Sequence, residues 1–297
     1  DYQLWRISLD KIYIPTLGRH DNQITFNHLP QKWKNITVMV IQEKEKHLYD
    51  YDCEYHVVDN DIGIAKTREL IYRLAGKKRY MIIDDDITFK RRNRRYYGLE
   101  SNMEKSKRDF IDSDYDDMIQ SFEQKHDEGI ILCGTRLEYM PPAPEASSNV
   151  GGGVYNAYSI DGQIFSEFID DIDFSYTSNP HCTVEDILIN MEILSRGYKI
   201  GKFDEFLYST DFGSDGGCST FRTVDEVKGG LQMIKNRFPN YIETLDKEEN
   251  YNDLNNHLKS VKNEIVNGQP KVRIFWSKLM NDLPNLKDRP TLEDFFG

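Results

Sequence analysis

Cysteine is scarce. Cys53, Cys133, Cys182 and Cys218 are the only four in 297 residues, and no two of them form a C-x-x-C pair. That spacing indicates neither a zinc site built on cysteine nor a disulfide framework. No apolar run approaches the ~18 residues a membrane-spanning helix needs, so no membrane association is expected. The segment Asp1-Tyr2-Gln3-Leu4-Trp5 shows no apolar stretch after a basic start. No signal peptide is therefore read, and a reducing cytoplasm is the expected compartment. A GxxxxGK[ST] signature is missing, which argues against a P-loop ATPase. There is no internal repeat and no low-complexity tract, which excludes a solenoid. Positive charge is in deficit: 38 Lys and Arg face 50 Asp and Glu, for a net charge of -12. Such a chain repels nucleic acid at long range.

What is present is a core. Eighteen Tyr, 15 Phe and 3 Trp supply enough apolar bulk to exclude a largely disordered chain. The first half alternates strand-like and helix-like patterns. Lys11 to Ile14 reads as a strand halted by Pro15, and Asn22 to Leu29 as a short helix. Ile36 to Ile41 is continuously apolar, as a strand buried on both faces should be. Tyr55 to Val58 is a further short strand. Ile64 to Ala75 sets Ile64, Leu70, Ile71 and Leu74 on one helical face, with Gly76 as the C-cap. Tyr80 to Ile83 is a strand that runs into three aspartates. Strand, helix and strand in this order predict a parallel α/β sheet.

The middle is less regular. Ser113 and Asp114 can cap a helix through Glu123, followed by a strand at Ile130 to Cys133 and a Pro-, Ser- and Gly-rich loop from Pro141 to Gly153. A strand is expected from Tyr155 to Ile160. Thr183 reads as an N-cap, with Asp186 three residues later, for a helix ending near Gly197. One or two strands are expected within Tyr198 to Tyr208. After Thr223 the pattern is polar and helical through Leu231 and again from Leu254 to Val266. Val272, Ile274 and Trp276 alternate as in a half-buried strand.

Met81-Ile82-Ile83-Asp84-Asp85-Asp86 carries the strongest chemical signal. In open α/β sheets, ligands bind at the carboxyl ends of the strands. Two carboxylates one residue apart, here Asp84 and Asp86, can hold a hard divalent cation that neutralises a diphosphate. The plain alternative is an acidic solvated turn. Ile14-Pro15-Thr16-Leu17-Gly18-Arg19 follows the first strand and so belongs to the same edge, where backbone N–H groups and a guanidinium can meet a nucleotide. Gly63-Ile64-Ala65-Lys66-Thr67-Arg68 opens a helix, with Lys66 and Arg68 in the turns where phosphates are bound. For Arg68 the plain alternative is a surface ion pair with Glu69 or another carboxylate.

IPTLGR, DIGIAKTRELI and YMIIDDDI, in that order over residues 10–90, resemble the N-terminal half of a GT-A glycosyltransferase with its DxD motif. The phrasing is most similar to the TET/JBP-associated glycosyltransferases of phages and kinetoplastids. The resemblance implies a Rossmann-like mixed, mainly parallel sheet flanked by helices over residues 1–222. Residues 223–297 would add a mainly helical C-terminal extension with a short terminal strand. It implies transfer of a sugar from a nucleotide-sugar, a UDP-sugar first among them, to the hydroxymethyl group of a modified pyrimidine in DNA, as in phage DNA hypermodification in the host cytoplasm. It also implies Mn²⁺ or Mg²⁺. Asp84 and Asp86 would hold the metal, and Asp84 and Asp85 would meet the donor together with Pro15, Thr16, Gly18, Arg19, Lys66 and Arg68. Thr183-Val184-Glu185-Asp186-Ile187 resembles the acidic element that faces the acceptor in such enzymes. It makes Asp186 the candidate general base and Glu185 the alternative, since an alcohol near neutral pH is a poor nucleophile. For Asp186 the plain alternative is a capping partner of Thr183. A late His that often completes the metal shell is missing, and Asp211, with Asp215 near it, is the candidate in its place.

Lys90-Arg91-Arg92-Asn93-Arg94-Arg95-Tyr96-Tyr97 concentrates five cations directly after the aspartates. Arg91, Arg92, Arg94 and Arg95 can bind phosphates and Tyr96 can stack on a base, which suggests an acceptor-binding loop. A solvated loop balanced by Asp109 to Asp117 is the alternative. Gly152 and Gly153 can let an acceptor approach the backbone closely, or serve as plain hinges. Three other readings stand beside the DNA one: a GT-A enzyme acting on polysaccharide, lipid or protein, a nucleotidyltransferase, and a DNA-binding or assembly protein on a degenerate scaffold.

Overall fold

Successive side chains of a strand point to opposite faces of its sheet, and the central strands here use both faces. In the computed structural model, which describes residues 8–93, 107–140, 148–150, 153–174, 184–210, 224–245 and 271–282, Tyr13, Val38, Val40, Tyr80 and Ile82 lie in one buried cluster. Their neighbours Ile12, Ile14, Met39, Ile41, Met81 and Ile83 lie in the other. Two cores on one sheet require helices on both faces, and the chain supplies them.

The first half runs β1 (Leu9–Pro15), α1 (Ile24–His28), α2 (Gln31–Lys34), β2 (Thr37–Gln42), β3 (Glu54–Val58), α3 (Gly63–Ala75), β4 (Arg79–Ile83) and β5 (Ile87–Arg92). It continues with β6 (Lys107–Asp109), α4 (Asp112–Asp127), β7 (Ile130–Leu137), β8 (Ser148–Val150), β9 (Ala157–Asp161), α5 (Gly162–Phe165), α6 (Glu185–Ser195) and β10 (Lys199–Thr210). The last described elements are α7 (Val224–Arg237), β11 (Ile242–Leu245), β12 (Lys271–Ile274) and α8 (Trp276–Asn281). A 10-stranded sheet has the order β3-β2-β1-β4-β9-β7-β10-β5-β6, with β8 also on β10. Its strands run mostly in one direction; β9, β5 and β8 run against the rest. This is the mixed, mainly parallel α/β architecture expected, with β11 and β12 forming a separate antiparallel pair.

Several elements depart from the sequence reading. The face of α3 toward the core is made by Arg68, Ile71, Tyr72 and Ala75, whereas Leu74 is 48% exposed. Gly76 does close that helix, at φ +59, with its N–H on the Tyr72 carbonyl. Helix α4 begins at Asp112 and runs past Glu123, and the Asp114 carboxylate accepts the Ile111 N–H at 2.9 Å. Ser148–Val150, read as loop, pairs with β10. Of the one or two strands expected within Tyr198 to Tyr208 the chain forms one, which runs two residues further, over Lys199–Thr210. The alternation at 272–276 ends early, because Trp276 begins α8. The basic run is no loop at its start: Lys90, Arg91 and Arg92 continue β5, in register with β10 and β6. The helix expected from Leu254 to Val266 and the cap at Thr183 lie outside the described residues, and α6 has Val184 as N-cap with no side-chain bond.

The C-terminal elements share the main core. Leu231, Ile234, Phe238, Ile242 and Leu279 are buried in the same cluster as Leu188, Met191 and Leu194 of α6. Among the described residues no helix is long and apolar enough to cross a membrane.

Candidate active site

Strands β2, β1 and β4 are parallel neighbours, so their carboxyl ends open on one edge. The loop after β1 brings Thr16 and Arg19 there, and the turn after β4 brings Asp84, Asp85 and Asp86. Thr25 holds this turn from the side. Its hydroxyl donates to the Asp84 carbonyl at 2.5 Å and accepts the Ile87 N–H at 2.8 Å, while its N–H donates to the Asp85 carbonyl at 3.0 Å. From the other side the Asp84 N–H donates to the Asn156 carbonyl at 2.8 Å. Asn156 stands at φ +61, a conformation that Asn tolerates better than most residues.

The three carboxylates are not equivalent. Asp85 points inward, where Arg19 pairs with it and the Thr16 hydroxyl donates to it at 2.6 Å. Fully buried Gln23 donates to the Thr16 hydroxyl at 2.7 Å and to the Arg19 carbonyl at 2.8 Å, which fixes both partners. Burial pushes the Asp85 carboxyl up to about 7, against the pull of Arg19. The side chains of Asp84 and Asp86 are 23% and 13% exposed, against 7% for Asp85. Asp86 lies 3.2 Å from Arg19, and burial raises its pKa, with Asp84 adding to the effect.

Arg68 joins this turn to a distant element. It emerges from α3 fully covered and donates to Asp84 at 2.5 Å and to Glu185, the first residue of α6, at 2.5 Å. The plain alternative is a surface ion pair with Glu69 or another carboxylate; Arg68 does pair with other carboxylates, but from a buried position, while Glu69 takes Lys66 at 2.9 Å and Arg73 at 3.0 Å. Burial pushes Glu185 up to about 7, with Arg68 opposing. The next residue, Asp186, is half-buried and accepts the Ile187 N–H at 2.7 Å. It faces Tyr155 and Tyr208, whose hydroxyl pKa values are raised by burial and further by the Asp186 carboxylate. Gly153 lies beneath this wall: a Cβ there would stand 1.9 Å from the Tyr155 hydroxyl.

The structure thus brings together Thr16, Arg19, Arg68, Asp84, Asp85, Asp86 and Glu185, with Asp186 adjoining Glu185. Pro15 ends β1, and Gly18, at φ +68, donates its N–H to Glu45 at 2.9 Å on the exposed rim. Lys66 turns to Glu69. Arg91 and Arg92 are carried away from the turn along β5, and Lys90 and Arg91 face carboxylates of their own. Arg94, Arg95, Tyr96, Gly152, Asp211 and Asp215 lie outside the described residues. Thr25 and Asn156 had no signal in the sequence, since each acts through bonds to residues far along the chain, and Gln23 had none because it acts within an irregular loop, on nearby Thr16 and Arg19.

Among the described residues no group of three or more His, Cys, Asp or Glu is placed to hold a metal ion. The donor set nevertheless suits Mg²⁺ or Mn²⁺. Mg²⁺ is typically held by one or two carboxylates and completes its shell with water and substrate phosphates. Asp84 and Asp86 offer two such groups at the open edge.

A family model described as TET-Associated Glycosyltransferase matches residues 10–215. Among curated proteins none matches the chain. The similar solved structures include S. aureus TarS in complex with UDP, at 13% identity and TM-score 0.39, covering 86% of this chain and 71% of that one. They also include a UDP-glucose pyrophosphorylase complexed with UDP-glucose, at 10% identity and TM-score 0.37, over 68% and 92%. An inositol-1-phosphate CTP transferase from T. maritima has 11% identity and TM-score 0.32, over 69% and 89%.

Proposed function

The chain belongs to the TET-associated glycosyltransferases, and from that membership we propose that it moves a sugar from a nucleotide-sugar, a UDP-sugar in the first instance, to the hydroxymethyl group of a modified pyrimidine in DNA. The observation that carries the reading is the linked pair of acidic elements: Asp84 and Asp86 open at the strand edge and tied through buried Arg68 to Glu185, beside Asp186.

In this reading the donor diphosphate lies against the turn after β4 and the loop after β1. A Mg²⁺ or Mn²⁺ ion on Asp84 and Asp86 would supply charge neutralisation to the departing nucleotide. Asp85 and Arg19 shape the floor, since each already satisfies the other. Arg68 orients Asp84 rather than the donor, because both its ends are engaged. Asp186 takes the proton from the acceptor hydroxyl. It is favoured over Glu185 by access: Glu185 is buried against Arg68, whereas Asp186 is half-open beside Tyr155 and Tyr208. The hydroxymethyl group is reached through the major groove or by flipping the base out of the stack.

Mass spectrometry of hydroxymethylated and plain DNA, after incubation with a panel of nucleotide-sugars, tests this. A hexose- or pentose-sized increment on hydroxymethylated DNA alone is expected, together with release of the nucleoside diphosphate. It should vanish with excess EDTA and in Asp84→Asn or Asp86→Asn. Release of pyrophosphate would mean nucleotidyl transfer, and a sugar found only on polysaccharide or protein would move the acceptor class.

A further inference from the structure

The end of β5 opens on a cleft that the proposed chemistry does not use. Its volume is about 860 Å³, and it lies between the β5–β6 edge and the outer face of α4. In a protein of net charge -12, its lining is net positive. Arg91, Arg92, Lys107 and Arg108 are set against Asp117 and Glu205.

Two of these cations are loosely held. The Arg91 guanidinium stands over the Phe206 ring, 4.5 Å from its centroid. Its Nη2 donates a long hydrogen bond to Glu205 at 3.5 Å, and Asp117 and Asp114 stand at 3.5 and 3.9 Å. Its buried Nη1 has no hydrogen-bond partner. Lys107, 11% exposed, stands 3.7 Å from Glu138, and burial lowers its pKa, with Glu138 opposing and the nearby Arg92 and Lys90 adding to the effect. By contrast Arg108 is bound by both oxygens of Asp114. The α4 wall contributes the neutral side chains of Gln120, Ser121 and Gln124, which can donate hydrogen bonds without adding charge.

We propose that this cleft is a second, anion-binding site that holds the phosphodiester backbone of the DNA acceptor away from the reacting base. The identification of the anion as DNA rests on the acceptor reading above. The anion chemistry rests on the cleft. Five residue steps along β5 lead from Asp86 to Arg91, about 17 Å at ~3.4 Å per residue. DNA also rises about 3.4 Å per base step. A duplex lying along β5 with its modified base at the acidic turn would present its backbone to the cleft roughly five steps away. A planar guanidinium suits bidentate phosphate binding, and Lys107 adds a point charge beside it.

The test is binding of an unmodified duplex of about two helical turns, followed by fluorescence anisotropy over a range of salt concentrations with no donor present. Gln120 and Gln124 are exposed on α4, so substitutions there leave the core intact. Gln120→Glu with Gln124→Glu should weaken binding about tenfold or more at low salt. Gln120→Lys with Gln124→Lys should tighten it and steepen the salt dependence. Arg91→Gln with Lys107→Gln should flatten the logarithmic salt slope by about 1 to 2, at ~0.9 for each phosphate no longer neutralised. Identical slopes and affinities in all three variants would overturn the site, as would a wild type that binds no duplex at low salt. Binding of inorganic phosphate without binding of duplex would overturn the backbone assignment. Sugar transfer to hydroxymethylated DNA reports separately. If transfer persists while the cleft variants bind like wild type, the cleft is wrong and the activity stands. Cleft-dependent duplex binding without transfer keeps the cleft and removes the acceptor reading.

Discussion

Asp84, Asp85 and Asp86 are chemically identical and adjacent, yet their surroundings give them different work. Asp85 is enclosed with Arg19 and Thr16, while Asp84 and Asp86 keep part of their surface open. Removing one member of a buried pair leaves the other charge uncompensated, at a cost of about 3–5 kcal/mol. Asp85→Ala should therefore lower stability on that scale in urea unfolding, whereas Asp86→Asn, which leaves Arg19 its Asp85 partner, should unfold close to wild type and lose turnover. An Asp85→Ala protein as stable as wild type would show that the Arg19 pair contributes nothing net. Asp186→Asn should keep donor binding and lose about two to four orders of magnitude in turnover, the scale of a lost general base. A variant that lost only stability would make the residue structural.

At the scale of elements, α4 is pinned to the sheet by a histidine. His126, in its last turn, bonds through Nδ1 to the Ile130 carbonyl at 2.7 Å and through Nε2 to the Ser159 hydroxyl at 2.9 Å. A carbonyl can only accept, so Nδ1 carries the hydrogen, and in the neutral ring Nε2 accepts from the Ser159 hydroxyl. Burial lowers the His126 pKa below its ordinary value of 6.5, although Asp161 and Glu123 pull the other way. The unfolded chain then binds the proton more readily than the folded one. Stability from this group is complete above pH 6.5 and is lost as pH falls below it, by at most ~1.4 kcal/mol per pH unit. Thermal melts between pH 7.5 and 5 should show this loss, and His126→Gln should reduce the slope. An equal slope in the variant would assign the acid sensitivity elsewhere.

For the whole molecule, the question is whether residues after 222 form an appendage. The side chains argue otherwise. Leu231, Ile234, Phe238, Ile242 and Leu279 complete the core on one face of the sheet. Arg237 and Arg196 also converge on Glu192 of α6, whose side chain is 1% exposed. A chain ending at residue 222 would expose the α6 surface and leave Glu192 without Arg237. It should fail to melt cooperatively, and Leu231→Ala in the full chain should cost about 2–5 kcal/mol. A truncated chain with an unchanged melting curve would make the C-terminal elements an independent unit.

The sequence by itself determined the features that depend on near neighbours. The apolar runs at Ile36 to Ile41 and Tyr80 to Ile83 specify strands buried on both faces, and therefore a layered α/β sheet. The aspartates that follow β4 mark its carboxyl end, and Gly76 marks the end of α3. Periodicity states which side a residue faces but not what it meets there. Only the tertiary structure decided that Arg68 bridges Asp84 and Glu185, 117 residues further along, and that Thr25 and Asn156 hold the acidic turn. It also decided that Asp85 is the enclosed member of the triplet. The basic run shows the limit most plainly. Adjacency along the chain suggested a place beside the aspartates, but a strand is extended, so each residue of β5 carries the positive charge about 3.4 Å farther from them.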